Sequence, residues 1–383
     1  MKTILLRKPY AMMALICTFM GTACNDDSSD PYTLQKVEYE QKSSEIISTQ
    51  KTGETVYDPT TSSFKEIYAQ TTKNYMTVSS PSILSPTTSS EVIYPGSILR
   101  GSSFLNYNYD PLVLSNEFKP VTLSLSLKGA NSVFSVSIPP TLSDIRGALS
   151  ALLLGNQDNV DYSYVPADYS FSSDSISNED SFTRSFSTHV DANILNTLVS
   201  VDFGYSQNTA WEKKQNYVMV KLIQKVYSAS INPKYVTDWV DGDIILTECG
   251  THEPLYISNV DYGRTAYLLM ETDMSTSEAA TVLSMSVSVA LKVLSASAGS
   301  EYTKKLKDMF TNKKITVKII GGSAAHVTKV TSYEEFVNYI TNISTAELVK
   351  ASAPISYTVR RLMDNTRVDI VEPYTEVTHI VGN

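Results

Sequence analysis

Ser275-Thr276-Ser277-Glu278-Ala279-Ala280-Thr281-Val282-Leu283-Ser284-Met285-Ser286-Val287-Ser288-Val289-Ala290-Leu291-Lys292-Val293-Leu294-Ser295-Ala296-Ser297-Ala298 answers to two secondary structures. Ser275 followed three residues later by Glu278 is a capping box, and the Ala-rich run after it favours helix. Yet Met285, Val287, Val289, Leu291 and Val293 alternate with Ser284, Ser286, Ser288, Ala290 and Lys292. That is strict period two, with one apolar face and one small, polar face. About nine to eleven residues of such alternation is what a tilted β-strand needs to cross a bilayer. A second stretch carries a weaker version: Val199, Val201, Phe203 and Tyr205 alternate with Ser200, Asp202, Gly204 and Ser206. Ahead of it, Thr183, Ser185, Ser187, His189 and Asp191 face away from Phe182, Phe186 and Val190, with Arg184 interrupting the apolar side. The residues alone leave two readings open: a sheet or amphipathic helix packed on a core, or a strand that crosses a membrane.

The elements around these stretches are short and mixed. Val121 to Leu127 alternates and Val133 to Ile138 nearly does, so a hairpin is expected over Lys128–Asn131. Leu142 to Leu154 has helical spacing, with Ser143 or Asp144 available as its cap. Asn216 to Ser230 sets Val218, Val220, Leu222 and Val226 on one face and Lys221 and Lys225 on the other. Strands are predicted at Ala266–Glu271, Lys314–Ile320 and Ile355–Arg361, and short helices at Tyr333–Ile340 and Thr345–Lys350. From Lys36 to Ile93, Pro59, Pro81 and Pro86 divide a Ser/Thr-rich stretch into short extended pieces. The fold class is α+β, with a large sheet built from distant segments.

Composition excludes several functions. The 383 residues are 42% hydrophobic and 19% charged, as suits a folded core. They contain 89 Ser plus Thr and 24 Tyr, which suit pleated, half-exposed surfaces. A formal charge of −9 without basic clusters speaks against nucleic acid as a partner. Three Cys rule out a disulfide framework, and four scattered His show no metal-ligand spacing, so no metal or other cofactor is expected. The carboxylates Glu334-Glu335 and Asp241/Asp243 read as a solvated helix face and a turn, and no nucleophile motif or phosphate loop occurs. No catalytic residue is assigned and the chain is not read as an enzyme.

The N-terminus reads as an address. Lys2, Arg7 and Lys8 precede the apolar run Ala11–Met20, followed by Gly21-Thr22-Ala23-Cys24. A basic region, a short apolar run and small residues before the cut define a signal peptide, here residues 1–23. Cys24 at the first mature position is the thiol that lipoprotein processing acylates. Residues 24–34 then form a polar tether and 35–383 the body. Cleavage removes three positive charges and no negative ones, taking the formal charge from −9 to −12. Such a chain is exported and tethered to a membrane rather than spanning it.

The stretch Pro254-Leu255-Tyr256-Ile257-Ser258-Asn259-Val260-Asp261-Tyr262-Gly263-Arg264 resembles the signature of the thiol-activated, cholesterol-dependent cytolysins. Further matches follow the same order: Tyr94-Pro95-Gly96, Leu127-Lys128-Gly129 with Asn131-Ser132, Val201-Asp202-Phe203, Gly321-Gly322, Pro354 to Thr358, and Asp364-Asn365. They cover about residues 60–380. The resemblance implies the perforin-like core, a bent, mainly antiparallel four-stranded sheet flanked by two helical clusters that unfurl into transmembrane β-hairpins. By position those hairpin segments fall at about 178–212 and 275–310, the two ambiguous stretches. It further implies a hinge at Gly321 and Gly322, and an oligomer contact at Tyr169, where the family places an aromatic that stacks on a neighbouring protomer. Ile315 stands where the second aromatic of that pair would be.

The family's C-terminal β-sandwich, with its Trp-rich loop and cholesterol-recognising Thr-Leu pair, has no counterpart before Asn383, so cholesterol binding is not expected. This pattern resembles the short cytolysin-like lipoproteins of Bacteroides-group bacteria. Asn25-Asp26-Asp27-Ser28-Ser29-Asp30 resembles the acidic tag that sends lipoproteins of that group to the outer cell face. The implied function is a pore-forming toxin component. It would assemble with copies of itself into a ring on a lipid membrane, with a longer targeting partner, against competing bacteria. The alternative is a non-lytic surface lipoprotein that keeps the fold for ligand or partner binding. An exposed stretch from Lys42 to Lys65 would be open to a protease.

Overall fold

Period-two alternation becomes strand along most of the chain. The computed structural model describes residues 33–382 other than 130–132, 166–167, 177, 192, 196, 198–202, 204–215, 273, 275–277, 280, 286–300, 302, 306, 309–314 and 322–332. In chain order its strands are β1 (Glu45–Asp58), β2 (Ser63–Val78), β3 (Ile98–Leu99), β4 (Val121–Leu125), β5 (Ser135–Ile138), β6 (Asp168–Ile176), β7 (Asn216–Ile231), β8 (Leu255–Thr272), β9 (Ile315–Ile320), β10 (Ala353–Arg361) and β11 (Ile370–Val381).

Two long antiparallel strands, β7 and β8, form the spine of the larger sheet. Their N- and C-terminal portions have different neighbours, so the sheet forks. Toward Asn216 and Thr272 the order is β6-β7-β8-β9, the four-stranded antiparallel core that the resemblance implies. Toward Ile231 and Leu255 the same strands pair instead with β4 and β10. The changeover is marked by a bulge between Lys225 and Tyr227, opposite Gly263 and Tyr262. A bulge adds local twist, which bends the spine where its partners change. A Cβ on Gly263 would lie 2.0 Å from the carbonyl oxygen of Gln224, so only glycine permits this approach.

The second sheet has the order β1-β2-β11. It corrects the expectation for residues 36–93. Pro59 lies in the turn between β1 and β2, leaving strands of 14 and 16 residues instead of short pieces. Alternation was weak there because nearly all of β1 is exposed on both faces, so no core selects one set of side chains.

The β4–β5 hairpin and the helix Leu142–Gly155 stand where the pattern placed them, but Thr141 caps the helix, accepting from the Asp144 amide. Among the described residues, no helix is long and apolar enough to cross a membrane.

Candidate functional site

The four-stranded core is the part of the molecule whose geometry is organised around the two ambiguous stretches. Residues directly opposite in an antiparallel ladder project to the same face. One face therefore carries Met219, Lys221, Tyr267, Leu269, Lys318 and Ile320. The other carries Val218, Val220, Leu222, Ala266, Leu268, Met270, Val317 and Ile319. Each face is covered by one ambiguous stretch.

Phe182, Phe186, Leu195 and Phe203 of the first stretch pack on the face with Met219 and Tyr267. The phenyl rings of Phe182, Phe186 and Phe203 contact one another edge-on, with centroids 5.4 to 5.9 Å apart. The helix Glu179–Arg184 opens this stretch. Its cap, Asn178, accepts from the Ser181 amide while the Ser181 hydroxyl reaches back to the Asn178 amide. Ala279, Val282 and Leu283 of the second stretch, in helical backbone, pack on the opposite, mainly apolar face together with Tyr339.

Both stretches leave from the same end of the sheet. Residues 177–215 join β6 to β7, whose ends meet at Ile176 opposite Tyr217. Residues 273–314 join β8 to β9, whose ends meet at Met270 opposite Ile315. Each connection is a hairpin loop of about forty residues, far longer than two antiparallel neighbours need.

The first stretch also touches the other sheet. Thr375 on β11 donates from its hydroxyl to Asp180 Oδ2 at 2.5 Å, and the Arg184 guanidinium lies 4.3 Å from the Tyr374 ring. Nδ1 of His189 is 2.8 Å from Glu372 Oε1, with the imidazole fully buried. This stretch is held between two sheets.

Beneath it lies Lys221. Its Nζ donates to Ser82 Oγ at 2.5 Å and to the Phe186 carbonyl at 3.3 Å. Burial pushes its ammonium down to about 8, against a smaller upward pull from Asp174. The pattern of β7 sets this lysine on the face opposite Val220 and Leu222, and the structure shows what that face meets: the first stretch. Toward the fork, Asp261 receives Lys225 Nζ at 2.7 Å, the Ser228 hydroxyl and Asn259 Nδ2 each at 2.8 Å, and the Ser356 hydroxyl at 3.0 Å. Burial opposes its charge, yet these donors hold it below the usual carboxylate range. On the apolar face, buried Arg264 donates to Gln224 Oε1 and to the Tyr339 carbonyl, both at 2.7 Å, and its guanidinium lies 4.6 Å from the Tyr339 ring. That pins the helix Tyr333–Thr341 to the bend.

Of the residues singled out by sequence, Phe203 is buried against Phe182 and Phe186, and Met285 is half-buried at the end of the described helical residues. Gly321 has φ +78°, and a Cβ there would lie 2.3 Å from the Gly263 carbonyl oxygen and 3.2 Å from the Ala353 amide. It ends β9 where β10 takes over the edge of β8. Tyr169 sits on β6 opposite Gln224. Cys24, Val199, Val201, Tyr205, Val287, Val289, Leu291, Val293 and Gly322 lie outside the described residues. The sequence reading placed Lys221 in the alternation of its strand and Arg264 in the signature stretch without giving either a role, and it did not name Glu372. A Lys inside a β-rich run and an Arg directly after Gly263 were the available signals, and Glu372 offered none.

A family model described as thiol-activated cytolysin matches residues 36–379. Perfringolysin O of Clostridium perfringens is 27% identical over 286 residues, covering 71% of this chain and 54% of that protein. Tetanolysin of Clostridium tetani is 26% identical over 284 residues, 71% of this chain and 51% of that protein. The chain spans about half the length of the curated relatives it matches. Among solved structures, the human-specific toxin intermedilysin superposes with a TM-score of 0.65 at 21% identity, covering 91% of this chain and 73% of that one. Suilysin from Streptococcus suis gives 0.63 at 20% identity, over 92% and 74%. These likenesses establish the fold of the forked sheet.

Proposed function

The chain belongs to the thiol-activated cytolysin family, and from that premise we propose that it is a pore-forming toxin component. Copies assemble side by side on a target membrane, and each inserts the connections 177–215 and 273–314 as two β-hairpins. The observation that carries this reading is a phase relation between sheet and sequence. Counting in twos from Glu271 along the chain reaches Met285, Val287, Val289, Leu291 and Val293. Counting back in twos from Tyr217 reaches Tyr205, Phe203, Val201 and Val199, and forward from Ile176 reaches Phe182, Phe186 and Val190. Ile176, Tyr217 and Glu271 stand side by side in register. If each hairpin continues its strands without a bulge, all three arms turn these apolar side chains to one face, as a lipid-facing barrel wall requires, with Asp180 and Arg184 interrupting it in the first arm. The fourth arm departs from this, since Asp308, Asn312 and Lys314 are in phase with Thr316.

Energetics favour assembly before insertion. Phe182, Phe186 and Phe203 each bury on the order of 2–3 kcal/mol of apolar surface, a cost on release that water does not offset and hydrocarbon does. Backbone groups are different, because an unpaired strand edge in hydrocarbon costs several kcal/mol per group and only a closed barrel removes every edge. Among the described residues, β6 and β9 each pair with one strand only, so both edges of the four-stranded core can accept a neighbour.

On this reading the mature protein is an exported lipoprotein acylated at Cys24 and displayed on the outer membrane. It works with a longer partner that supplies target recognition against competing bacteria, and without cholesterol. Dye release from liposomes of bacterial lipids tests it, using mature protein alone, with a protease, and with a long-type neighbour protein. Release with detergent-resistant rings in the electron microscope is expected in at least one arm. Folded protein that stays silent in all three supports the non-lytic surface lipoprotein instead.

A further inference from the structure

We propose, resting on the pore-forming reading, that residues 186–189 are a polar clasp that keeps the first hairpin segment docked, and that the His189–Glu372 contact is the one whose loss opens it. Four consecutive residues of that segment carry a dense set of hydrogen bonds to the body. The Phe186 carbonyl accepts from Lys221 Nζ at 3.3 Å, and the Ser187 carbonyl accepts from the Ser82 amide at 2.8 Å. The Thr188 hydroxyl donates to the Ser82 carbonyl at 2.8 Å, and the His189 carbonyl accepts from the Tyr109 hydroxyl. The imidazole of His189 places Nδ1 2.8 Å from Glu372 Oε1 and Nε2 2.9 Å from the Phe104 carbonyl. Its ring lies 4.4 Å from that of Phe104 and 4.7 Å from that of Tyr107, with the Tyr39 hydroxyl 3.4 Å from Nε2. Ser187 holds φ +51°, a left-handed conformation that a serine keeps only when its surroundings impose it.

The choice of polar contacts matters for a segment with two destinations. Apolar side chains that leave the core for hydrocarbon are buried in both states, so they discriminate little between them. A hydrogen-bonded side chain in a dry site is different: its departure breaks those bonds, leaving the half-buried Glu372 carboxylate with the Tyr107 hydroxyl, 3.1 Å from Oε2, in place of two partners. His189 is on the polar side of the alternation, with Ser187 and Asp191, so an inserted hairpin would return it to water. The clasp thus opposes departure without opposing insertion, and it spans both sheets, because Lys221 lies on β7 and Glu372 on β11.

The test uses mature protein carrying Cys24→Ser and Val190→Cys, which leaves buried Cys249 as the only native thiol. Labelling at position 190 by a soluble thiol reagent reports opening of the segment. Glu372→Gln removes the charge with little change of shape, and His189→Gln removes the ring. Either is expected to raise the labelling rate about tenfold. The double variant is expected to match His189→Gln instead of multiplying the two singles, because the contact with Glu372 is already absent once the ring is removed. Thermal unfolding of the body should shift little in Glu372→Gln, which separates clasp loss from general damage. Labelling of Glu372→Gln at the parent rate, or multiplication in the double variant, overturns the clasp. Fast labelling in variants that never release dye from liposomes leaves the clasp standing and refutes the pore-forming reading.

Discussion

Lys221 shows how a correct pattern can leave the environment of a side chain open. Alternation along β7 separates it from Val220 and Leu222, as the ladder confirms, but whether a polar face meets water or another element depends on what folds over it. Here Phe186 and Ser82 do, 35 and 139 residues away in sequence, a distance no local pattern reports. The consequence is measurable. The amine titrates at about 8 when folded, against 10.5 when unfolded. Below pH 8 both states are protonated, and the buried charge costs the fold on the order of 3 kcal/mol. Between 8 and 10.5 the unfolded chain binds the extra proton, so stability rises with pH. Urea midpoints should therefore climb across that window in the parent and climb much less in Lys221→Met. Equal slopes would mean that the amine is not buried in solution. Gly321 gives a second residue-scale prediction. With positive φ and the Gly263 carbonyl 2.3 Å from an added Cβ, Gly321→Ala should cost about 2–4 kcal/mol. Its doublet with Gly322 was legible as a bend, but the close approach to Gly263 was not, because it joins positions far apart in the chain. A melting curve unchanged by the alanine would rule out the fork geometry at that point.

At the scale of elements, legibility followed burial. Leu142–Gly155, β4 and β10 each bury one face and could be read from spacing alone, and β7 could be read because it alternates apolar and polar residues although both of its faces are covered. β1 could not, because two solvent-exposed faces impose no period, and β2 could not, because nearly all of its residues are half-buried and neither face is selected. The stretches 178–212 and 275–310 were ambiguous for a different reason: helix-compatible and strand-compatible spacing coexist in one sequence. The phase relation with β6, β7 and β8 turns that ambiguity into a prediction with a built-in control. Val287→Arg puts a cation on the lipid side of the inserted hairpin, which at the bilayer midplane costs about 2–4 kcal/mol per protomer and repeats around the ring. Ser288→Arg, one residue on, puts it on the water side. Dye release should be abolished in the first and retained in the second, with ring assembly on liposomes unaffected in both. The opposite pattern would place a bulge between β8 and the hairpin, and loss in both would point to a defect unrelated to phase.

At the scale of the whole molecule, the first described residues of the body reach both the Arg361 cluster and the clasp. Gln35 bridges to His252, Val37 is fully buried, and Arg361 gathers Glu38 at 2.9 Å, Glu253 at 3.3 Å and Asp364 at 3.0 Å. The Val37 amide donates to Glu253 Oε1 at 3.2 Å, so this buried carboxylate depends on the segment for one of its partners. Two residues on, Tyr39 stands over His189. Trimming the chain before Leu34 leaves Val37, Glu38 and Tyr39 in place and should therefore behave like the parent. Trimming through Lys42 removes Val37, Glu38 and Tyr39 together. Losing the valine's burial costs about 1.5–3 kcal/mol, and the weakened Arg361 cluster adds to it, for a drop of a few degrees in Tm. The same cut uncovers His189, so the longer truncation should label faster at position 190 and release dye with a shorter lag, while the shorter one behaves like the parent. Proteolysis in the exposed β1 would then act as a trigger as well as a release from the membrane anchor. If both truncations melt and label alike, the segment is a passive leash and the trigger lies elsewhere on the surface.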